Sequence, residues 1–331
     1  MKKKIYFYPS ASKKGYSNPY CENFKHSLSK RYTVLDCKNE PSLMLGLSLF
    51  KYSFRADIFI FNWLESIGFL KFGLMQFIIA LVSIAIIIIR KKKIIWIFHN
   101  IIPHQGSNYK SKIIQHILFK NSNLIITHSK EAKQHVSKKS HKNIIYRCHP
   151  IKELTNYVST NKKFIGFDIL IWGSILPYKG IKEFISLNEI QKSSLKILIL
   201  GKCDDTQLNI DINHYCNSNI TFENRKADFN ELKEIMKNVK YVLFPYIGNS
   251  ISSSGAVMDT IALGGIPIAP NIGAFKDLKE EGVCITYTSY DNLIEILKTP
   301  QNISKSQISL FIQNNNWESF TNCLYENIER L

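Results

Sequence analysis

A loop of small residues that leads into a helix is the part of the sequence most suggestive of chemistry. The stretch Ser250–Pro270 reads SISSSGAVMDTIALGGIPIAP. Free N–H groups at a helix start attract anions, and small side chains let a phosphate approach. We therefore expect phosphate contacts from Ser253, Ser254 and Gly255. Asp259 follows one turn later, where its carboxylate can accept hydrogen bonds from ribose hydroxyls; an exposed Asp on a capped helix is the alternative.

A glycine turn followed by a lysine forms a second candidate. Residues 172–180 read WGSILPYKG and follow a predicted strand. Gly173 and Ser174 fall in the turn, and Lys179 and Gly180 come just ahead of a helix. A lysine in this position can neutralise a diphosphate leaving group. Because lysine is the most common charged residue of the chain, a solvent-exposed side chain is the alternative.

Two histidines and an asparagine follow a strand in the first half of the chain. Residues 96–104 read WIFHNIIPH. His99 is a candidate for hydrogen bonding to a substrate hydroxyl and for a catalytic role, and Asn100 and His104 are candidates for shaping the same site. Structural histidines are the alternative. A metal site is not expected, because no carboxylate accompanies them at ligand spacing.

Acidic residues are rare in the first 150 positions, so those at strand ends are informative. Glu65, in the segment FNWLE, is one of six acids there and is a candidate general base. A charge that favours a helix N-terminus is the alternative. Ser129 and Glu131 follow another strand and mainly indicate a helix cap.

Short apolar strands alternate with helices along the chain, and the candidate residues lie where strands end. In the first half the predicted strands are 4–8, 32–35, 57–61, 94–98, 123–127 and 143–147, with helices near 18–30, 41–52, 65–89, 108–120 and 129–138. This alternation predicts an α/β fold of two doubly wound, Rossmann-like parallel-sheet domains that face a cleft. The predicted parts are a first domain over 1–150, a polar linker over 151–163, a second domain over 164–315, and a final helix over 316–331 that can pack back on the first domain.

Positive charge is concentrated in the first half of this 331-residue chain. The first 150 residues hold 25 Lys and Arg against 6 Asp and Glu, a net charge of +19, whereas the remainder has a net charge of −2. This asymmetry predicts an anionic partner: nucleic acid, an anionic membrane surface or an acidic lipid head group. A solvated lysine-rich surface is the alternative. With 45% hydrophobic residues, the chain is neither disordered nor a coiled coil.

The run 73–89 raises the question of a membrane. Its 17 residues are uncharged, and Arg90 and three lysines follow at once. A spanning helix needs about 20 apolar residues. Three interpretations stay open: a spanning helix, a buried helix of the first domain, and a helix that dips into one leaflet with the basic cluster on lipid phosphates.

The start of the chain lacks the apolar region of a signal peptide. Its seven cysteines include no CxxC pair and fit a reducing cytoplasm.

The motifs together resemble the GT-B-fold glycosyltransferases, most closely the retaining nucleotide-sugar enzymes of the glycosyltransferase 4 type. The resemblance covers nearly the whole chain and is strongest at 96–104, 172–180 and 241–275. In that family a glycine turn and the Lys of a YKG segment meet the diphosphate, as Gly173, Lys179 and Gly180 would. Small residues that open a later helix also meet the phosphates, and a carboxylate before an AxGxP segment holds the ribose. These places are taken by the residues Ser254, Gly255 and Asp259.

The resemblance implies further contacts. The base would lie near Asn224–Asp228 and beside Pro245 and Tyr246. The loop Ser10–Tyr20 is similar to the family's first loop at the cleft. Residues 99–104 are similar to the family's HNxxPH segment. The implied acceptor contacts are therefore Gly15, Tyr16, Asn18, Tyr20, Asn100 and His104.

The sequence departs from the family pattern at three positions. Asp259 stands where a Glu is usual and has a shorter reach. Ile251 replaces a second Glu, and Leu176 falls where an Arg is frequent. Neutralisation of the diphosphate therefore depends more heavily on Lys179.

The resulting expectation is a hexosyl-transferring enzyme at the inner face of a bacterial cell membrane. It would move a sugar from a nucleoside diphosphate donor to a lipid-linked saccharide in lipopolysaccharide or capsule assembly, and the resemblance favours retention of the anomeric configuration. A UDP-sugar is expected more than a GDP-sugar, with no cofactor and no metal. The alternative is a non-catalytic protein whose basic half binds nucleic acid or an anionic membrane.

Overall fold

The computed structural model describes residues 2–9, 18–35, 45–99, 101, 108–152, 166–248 and 251–331. The chain divides into two compact units. Unit 1 comprises Met1–Pro150 together with Trp317–Leu331, and unit 2 comprises Ile151–Asn316. The chain therefore enters unit 2 after unit 1 and returns to unit 1 for its last helix.

Unit 1 contains a six-stranded parallel sheet in the order β2-β1-β3-β4-β5-β6. Its strands are β1 (Lys4–Tyr8), β2 (Thr33–Leu35), β3 (Ile58–Asn62), β4 (Lys93–Phe98), β5 (Leu124–Thr127) and β6 (Asn143–Tyr146). Its helices are α1 (Pro19–Ser29), α2 (Leu45–Ser53), α3 (Gly73–Ile89), α4 (Tyr109–Asn121), α5 (Lys130–Ser137) and α14 (Trp317–Glu329). The strand order reverses direction between β1 and β3, which is where doubly wound sheets bind ligands.

Unit 2 contains a second six-stranded parallel sheet, in the order β12-β11-β10-β7-β8-β9. Its strands are β7 (Ile169–Trp172), β8 (Ile197–Leu200), β9 (Ile220–Glu223), β10 (Tyr241–Leu243), β11 (Pro267–Pro270) and β12 (Ile285–Tyr287). Its helices are α6 (Ile181–Ile185), α7 (Asn188–Gln191), α8 (Thr206–His214), α9 (Phe229–Asn238), α10 (Gly255–Ala262), α11 (Gly273–Glu280), α12 (Tyr290–Lys298) and α13 (Lys305–Asn314). Here the order reverses between β7 and β10.

The predicted α/β class with two doubly wound parallel sheets is confirmed. The central strands are almost continuous apolar runs, such as IFIFN in β3 and ILIL in β8, because helices cover both faces of each sheet. Polar caps begin several helices. The Asn18 side chain accepts from Tyr20 N at 3.0 Å ahead of α1, and Ser129 accepts from Ala132 N at 3.0 Å ahead of α5.

The predicted single helix over 65–89 is wrong. A 3-10 segment, Leu64–Phe69, comes first, and α3 begins only at Gly73. Between them Phe72 adopts a left-handed conformation with φ 56°, so the helix cannot run through. The turn also requires glycine, since a Cβ on Gly73 would lie 2.1 Å from the carbonyl oxygen of Gly68.

Among the helices of the described segments, none combines the length and the apolar character that crossing a bilayer requires. In α3 one face is buried in unit 1, through Phe77, Ala80, Ile84 and Ile87.

The final helix, α14, packs on α1 within unit 1. Phe320, Leu324, Tyr325 and Ile328 join the core cluster that contains Phe24. The Tyr325 hydroxyl donates to the Ser27 carbonyl at 2.6 Å. Residues from the far end of the chain thus complete the core of unit 1.

We expect Leu324→Ala to lower the free energy of unfolding of unit 1 by about 2–5 kcal/mol, because it leaves a cavity in this core. Leu324 is 0% exposed, whereas Leu310 in α13 is 52% exposed. The same substitution at Leu310 should change the free energy by less than about 0.5 kcal/mol. Denaturant unfolding followed by tryptophan fluorescence measures both. Equal effects of the two substitutions would contradict the packing of α14 described here.

Candidate functional site

The carboxyl edge of the unit 2 sheet brings the glycine turn and the lysine together. Gly173 follows β7 with φ 106°, and a Cβ on it would lie 3.3 Å from the Lys179 ammonium nitrogen. The same Cβ would lie 3.8 Å from Ala256 Cβ, in the first turn of α10. The turn after β7, the lysine and the start of α10 therefore meet at one point, where the strand order reverses.

Lys179 is 7% exposed, an unusual state for an ammonium group. Its nitrogen lies 5.4 Å from the centre of the Tyr246 ring, and burial lowers its pKa. Within the described ranges, no carboxylate lies at ion-pair distance from it. A buried cation needs a compensating negative charge, so this arrangement is suited to an anionic ligand.

Close backbone contacts hold the lysine in place. Gly180 follows it with φ 63°, and a Cβ there would lie 2.1 Å from the Pro245 carbonyl oxygen. Ile247 N donates to the Tyr178 carbonyl at 2.9 Å. A Cβ on Gly201 would lie 1.8 Å from the carbonyl oxygen of Gly173. The loops after β7, β8 and β10 thus fit together only with glycine at these positions.

The start of α10 is open. Ser254 is the N-cap residue, but its side chain makes no capping hydrogen bond; its hydroxyl lies 3.3 Å from that of Tyr246. The buried Ser252 hydroxyl has no partner among the described residues. Trp172 Nε1 donates to Thr260 Oγ1 at 2.8 Å, which ties α10 to β7. Within the described residues, no side chain caps the first N–H groups of α10, so these groups can bind a ligand.

Asp259 lies further along α10 and is half-buried. Burial raises the pKa of its carboxyl to about 7, and the Lys152 ammonium acts in the opposite direction. Ser174 and Ser253 also lie on this edge, Ser174 exposed and Ser253 half-buried. In the segment proposed for the base, Asn224 accepts from Cys203 N and Asp228 caps α9, so both have structural roles.

The carboxyl edge of the unit 1 sheet orients His99. Its Nε2 lies 3.1 Å from Asn62 Oδ1, and the Asn62 amide donates to the Tyr8 carbonyl at 3.1 Å. The Trp63 ring stacks on the His99 ring with centroids 4.3 Å apart. Trp63 has φ 52°, a strained conformation for a large side chain. The strand ends β1, β3 and β4 therefore fix this imidazole between an amide and an indole.

Tyr20 is at the centre of a buried cluster in the same unit. His128 Nδ1 lies 2.8 Å from the Arg147 carbonyl and must donate to it, so the Nε2 of neutral His128 accepts from the Tyr20 hydroxyl at 2.8 Å. His149 and Trp317 also contact the Tyr20 ring, at 5.1 and 5.3 Å between centroids. Burial lowers the pKa of His128 to about 4 and that of His149 to about 3. Both are therefore neutral at pH 7.

Glu65 is buried, at 2% exposure, in the 3-10 segment after β3. Neither Glu65 Oε2 nor the buried Trp96 Nε1 makes a hydrogen bond of ordinary geometry among the described residues, but the indole lies close enough to favour the ionised carboxylate. Burial raises its pKa to about 7. The sequence placed Glu65 at the strand end correctly, but not its burial.

Of the remaining predicted site residues, the structure describes some and leaves others outside the described ranges. Asn18 is an N-cap, and Tyr20 is buried with its hydroxyl bound to His128. The predicted residues Gly15, Tyr16, Asn100 and His104 lie outside the described residues, as does most of the predicted linker. Five residues of this unit were not predicted as site residues: Asn62, Trp63, His128, His149 and Trp317. The FNWLE motif at the end of β3 was the only sequence signal for the first two. No cluster of metal-ligating side chains occurs among the residues described above.

We expect Glu65→Gln to stabilise the protein at about pH 8 by up to about 3 kcal/mol. The pKa of Glu65 is higher in the folded protein than in the unfolded chain, so protonation of this carboxyl favours folding. Its contribution to the free energy of unfolding is complete below the unfolded-state pKa and is lost as the pH rises to about 7. The gain in the variant should therefore shrink toward pH 4. Unfolding at several pH values measures it, with the exposed Glu326→Gln as control. A gain that does not vary with pH would contradict the burial of an ionisable group here.

Comparison with known proteins identifies the fold. No family model matches the chain, and no curated protein matches it by sequence. Among solved structures, it is similar to HepE of Anabaena in complex with UDP and glucose, with a TM-score of 0.71, 12% identity and 100% of both chains covered. It is also similar to sucrose-phosphate synthase of Thermosynechococcus elongatus, with a TM-score of 0.70 and 11% identity over 99% of this chain and 100% of the other.

A third similar structure is the lipopolysaccharide outer core galactosyltransferase WaaB, with a TM-score of 0.63 and 11% identity over 98% of this chain and 99% of that one. These neighbours are GT-B glycosyltransferases, and the predicted GT-B fold is confirmed.

Proposed function

We propose that the protein is a glycosyltransferase that takes its sugar from a nucleoside diphosphate sugar. The observation that carries the proposal is the buried Lys179 ammonium without a carboxylate partner among the described residues, placed over Gly173 and beside the open start of α10. A diphosphate supplies the missing negative charge. The neighbours of the same fold, one of them in complex with UDP and glucose, support this reading.

Each residue of this edge then has a role. Lys179 and the N–H groups of Gly255 and its neighbours bind the diphosphate, and Gly173 leaves room for it. Their positive charge stabilises the diphosphate as its bond to the sugar breaks. Asp259 accepts hydrogen bonds from the ribose hydroxyls. Pro245 and Tyr246 lie where the base would bind, and we propose uracil, since HepE was solved with UDP.

Unit 1 would bind the acceptor. In the reaction, an acceptor hydroxyl oxygen bonds to the anomeric carbon, the carbon–oxygen bond to the diphosphate breaks, and the hydroxyl proton passes to a base. For transfer with retention, the departing diphosphate oxygen itself can take this proton. His99, held by Asn62 and Trp63, would orient a sugar hydroxyl. Glu65 would serve as a base only if the configuration inverts, and its burial disfavours that role.

The acceptor is proposed to be a lipid-linked saccharide at the inner face of the cell membrane, in lipopolysaccharide or capsule assembly. The net charge of +19 in the first 150 residues supports an anionic surface as partner. WaaB, of the same fold, is a lipopolysaccharide galactosyltransferase.

We expect one nucleoside diphosphate to raise the midpoint of thermal unfolding of the protein. The nucleotides to compare are the diphosphates UDP, GDP, ADP and TDP and the monophosphate CMP. In Lys179→Ala the affinity for the stabilising diphosphate should fall about tenfold to a hundredfold, the loss expected for a charged hydrogen bond. Lys192→Ala, at an exposed lysine of the same unit, should bind as the wild type does. Unchanged affinity in Lys179→Ala would contradict the donor site. No shift with any nucleotide would favour the non-catalytic alternative.

We expect donor affinity to rise with pH, because ionised Asp259 accepts hydrogen bonds and its pKa is about 7. UDP-glucose suits the test, since its diphosphate diester does not titrate near neutrality. The Asp259→Asn protein should bind UDP-glucose more weakly at about pH 8, and its affinity should not rise with pH. The Asp259→Glu protein should keep both the affinity at about pH 8 and its rise with pH. Calorimetric titration at about pH 6 and pH 8 measures the affinities. The same rise in the Asn variant would contradict the ribose contact.

A further inference from the structure

The two helices α2 and α3 present an apolar surface to solvent, which we call the α2–α3 face. It consists of exposed apolar side chains from both helices, which include Phe50 and Phe54 from α2 and the residue that follows it, and Phe72, Ile78, Val82 and Ile89 from α3 and its N-cap. Exposed apolar residues scattered singly are normal, but these belong to two helices packed side by side. Gly46 N donates to Gln76 Oε1 at 3.0 Å, which joins the helices.

The polarity of α3 is reversed relative to an ordinary surface helix. Positions 75, 78, 82, 85 and 89 recur every three or four residues, face solvent and are all apolar. Its two polar side chains, Gln76 and Ser83, are buried instead, at 1% and 0% exposure. A helix that faces water carries its polar residues on the solvent side. The exposed face of α3 is therefore built for an apolar environment.

Basic residues border this apolar stripe at both ends. Lys71 precedes α3, and Arg90 and Lys91 follow it, all exposed. Arg90 also donates to the Ser53 carbonyl at 2.6 Å, so the ends of α2 and α3 meet there. Lys51 and Arg55 add two more exposed cations on the α2 side.

Acidic residues are almost absent from this part of unit 1. Between residues 45 and 93 the only acids are Asp57 and Glu65. Asp57 pairs with Lys92 at 2.9 Å, and Glu65 is buried. Among the described residues of 45–93, the exposed charges near the apolar stripe are therefore mostly cationic, which is complementary to phosphate groups of anionic lipids.

We propose that the α2–α3 face docks unit 1 on an anionic phospholipid bilayer, with α3 lying in the plane of the interface. A 17-residue helix is about 26 Å long, so the basic residues at its two ends can reach lipid phosphates together while the stripe between them enters the acyl region. The opposite face of α3 stays in the core through Phe77, Ala80, Ile84 and Ile87. The helix thus cannot turn to span the bilayer without leaving that core.

This inference rests on the proposed membrane location and assigns the α2–α3 face as the surface that contacts the membrane. Membrane contact through this face does not require binding of the donor or the acceptor. Flotation of the full chain with vesicles therefore tests it separately from sugar transfer. We expect binding to vesicles of phosphatidylcholine with phosphatidylglycerol and weak binding to phosphatidylcholine alone.

Matched substitutions identify the face. Ile78 is 52% exposed on α3, and Ile210 is 56% exposed on α8 of unit 2. Ile78→Glu should weaken partitioning at least about tenfold, because it removes buried apolar area and adds a negative charge, whereas Ile210→Glu should leave it unchanged. Lys71→Gln with Lys91→Gln should weaken it about fivefold for each charge removed, compared with Lys192→Gln and Lys276→Gln in unit 2.

Several outcomes would overturn the proposal. One is a wild type that does not float with anionic vesicles. Another is equal binding of the Ile78→Glu and Ile210→Glu proteins, both with wild-type thermal midpoints. If Ile78→Glu unfolds, Val82→Glu on the same stripe replaces it. A dimer that Ile78→Glu dissociates, without vesicle binding, would assign the face to a second copy of this chain. UDP binding measured on the same proteins reports the donor site independently.

Discussion

An ammonium group held away from water needs an anion, and unit 2 keeps Lys179 in this state at the carboxyl edge of its sheet. Its position depends on glycines: Gly173 lies beneath it, and Gly180 lies against the Pro245 carbonyl. These contacts join the loops after β7 and β10, the two strands between which the sheet order reverses. The fold thus prepares a cation before any ligand arrives, which lowers the reorganisation needed on binding.

Unit 1 uses neutral groups where unit 2 uses charge. Tyr20, His128 and His149 pack in its interior, and burial keeps both imidazoles uncharged at pH 7. His99 receives an amide oxygen on one side and an indole face from Trp63 on another. Most lysines and arginines among the described residues of unit 1 lie at its surface, and Lys25 is a buried exception. Neutral side chains of this kind suit hydrogen bonds with uncharged groups, while the buried Glu65 is an ionisable group in the same unit.

The sequence could predict most of the strands and which residues follow them at the unit 2 edge, but not the long-range contacts of unit 1. Strand-end motifs carry local information, so Gly173, Lys179, Ser254 and Asp259 were placed from residue type and spacing. Whether a side chain is buried depends on distant segments: Glu65 was placed at its strand end, yet its desolvation was not visible. Trp317 contacts Tyr20 although almost 300 positions separate them in the chain. The hydrophobic periodicity of the sequence does not predict a contact between such distant residues. The break before Gly73 was missed because Phe72 gives no local signal of a left-handed turn.

The return of the chain to unit 1 affects the order in which the molecule can form during synthesis. Unit 2 is continuous from Ile151 to Asn316, so all of its strands are present before α14 has been made. Unit 1 must wait for α14 to cover Phe24 and the face of α1. A nascent chain that has finished unit 2 therefore still exposes an apolar surface on unit 1, and this interval is when chaperones or wrong partners have access to it.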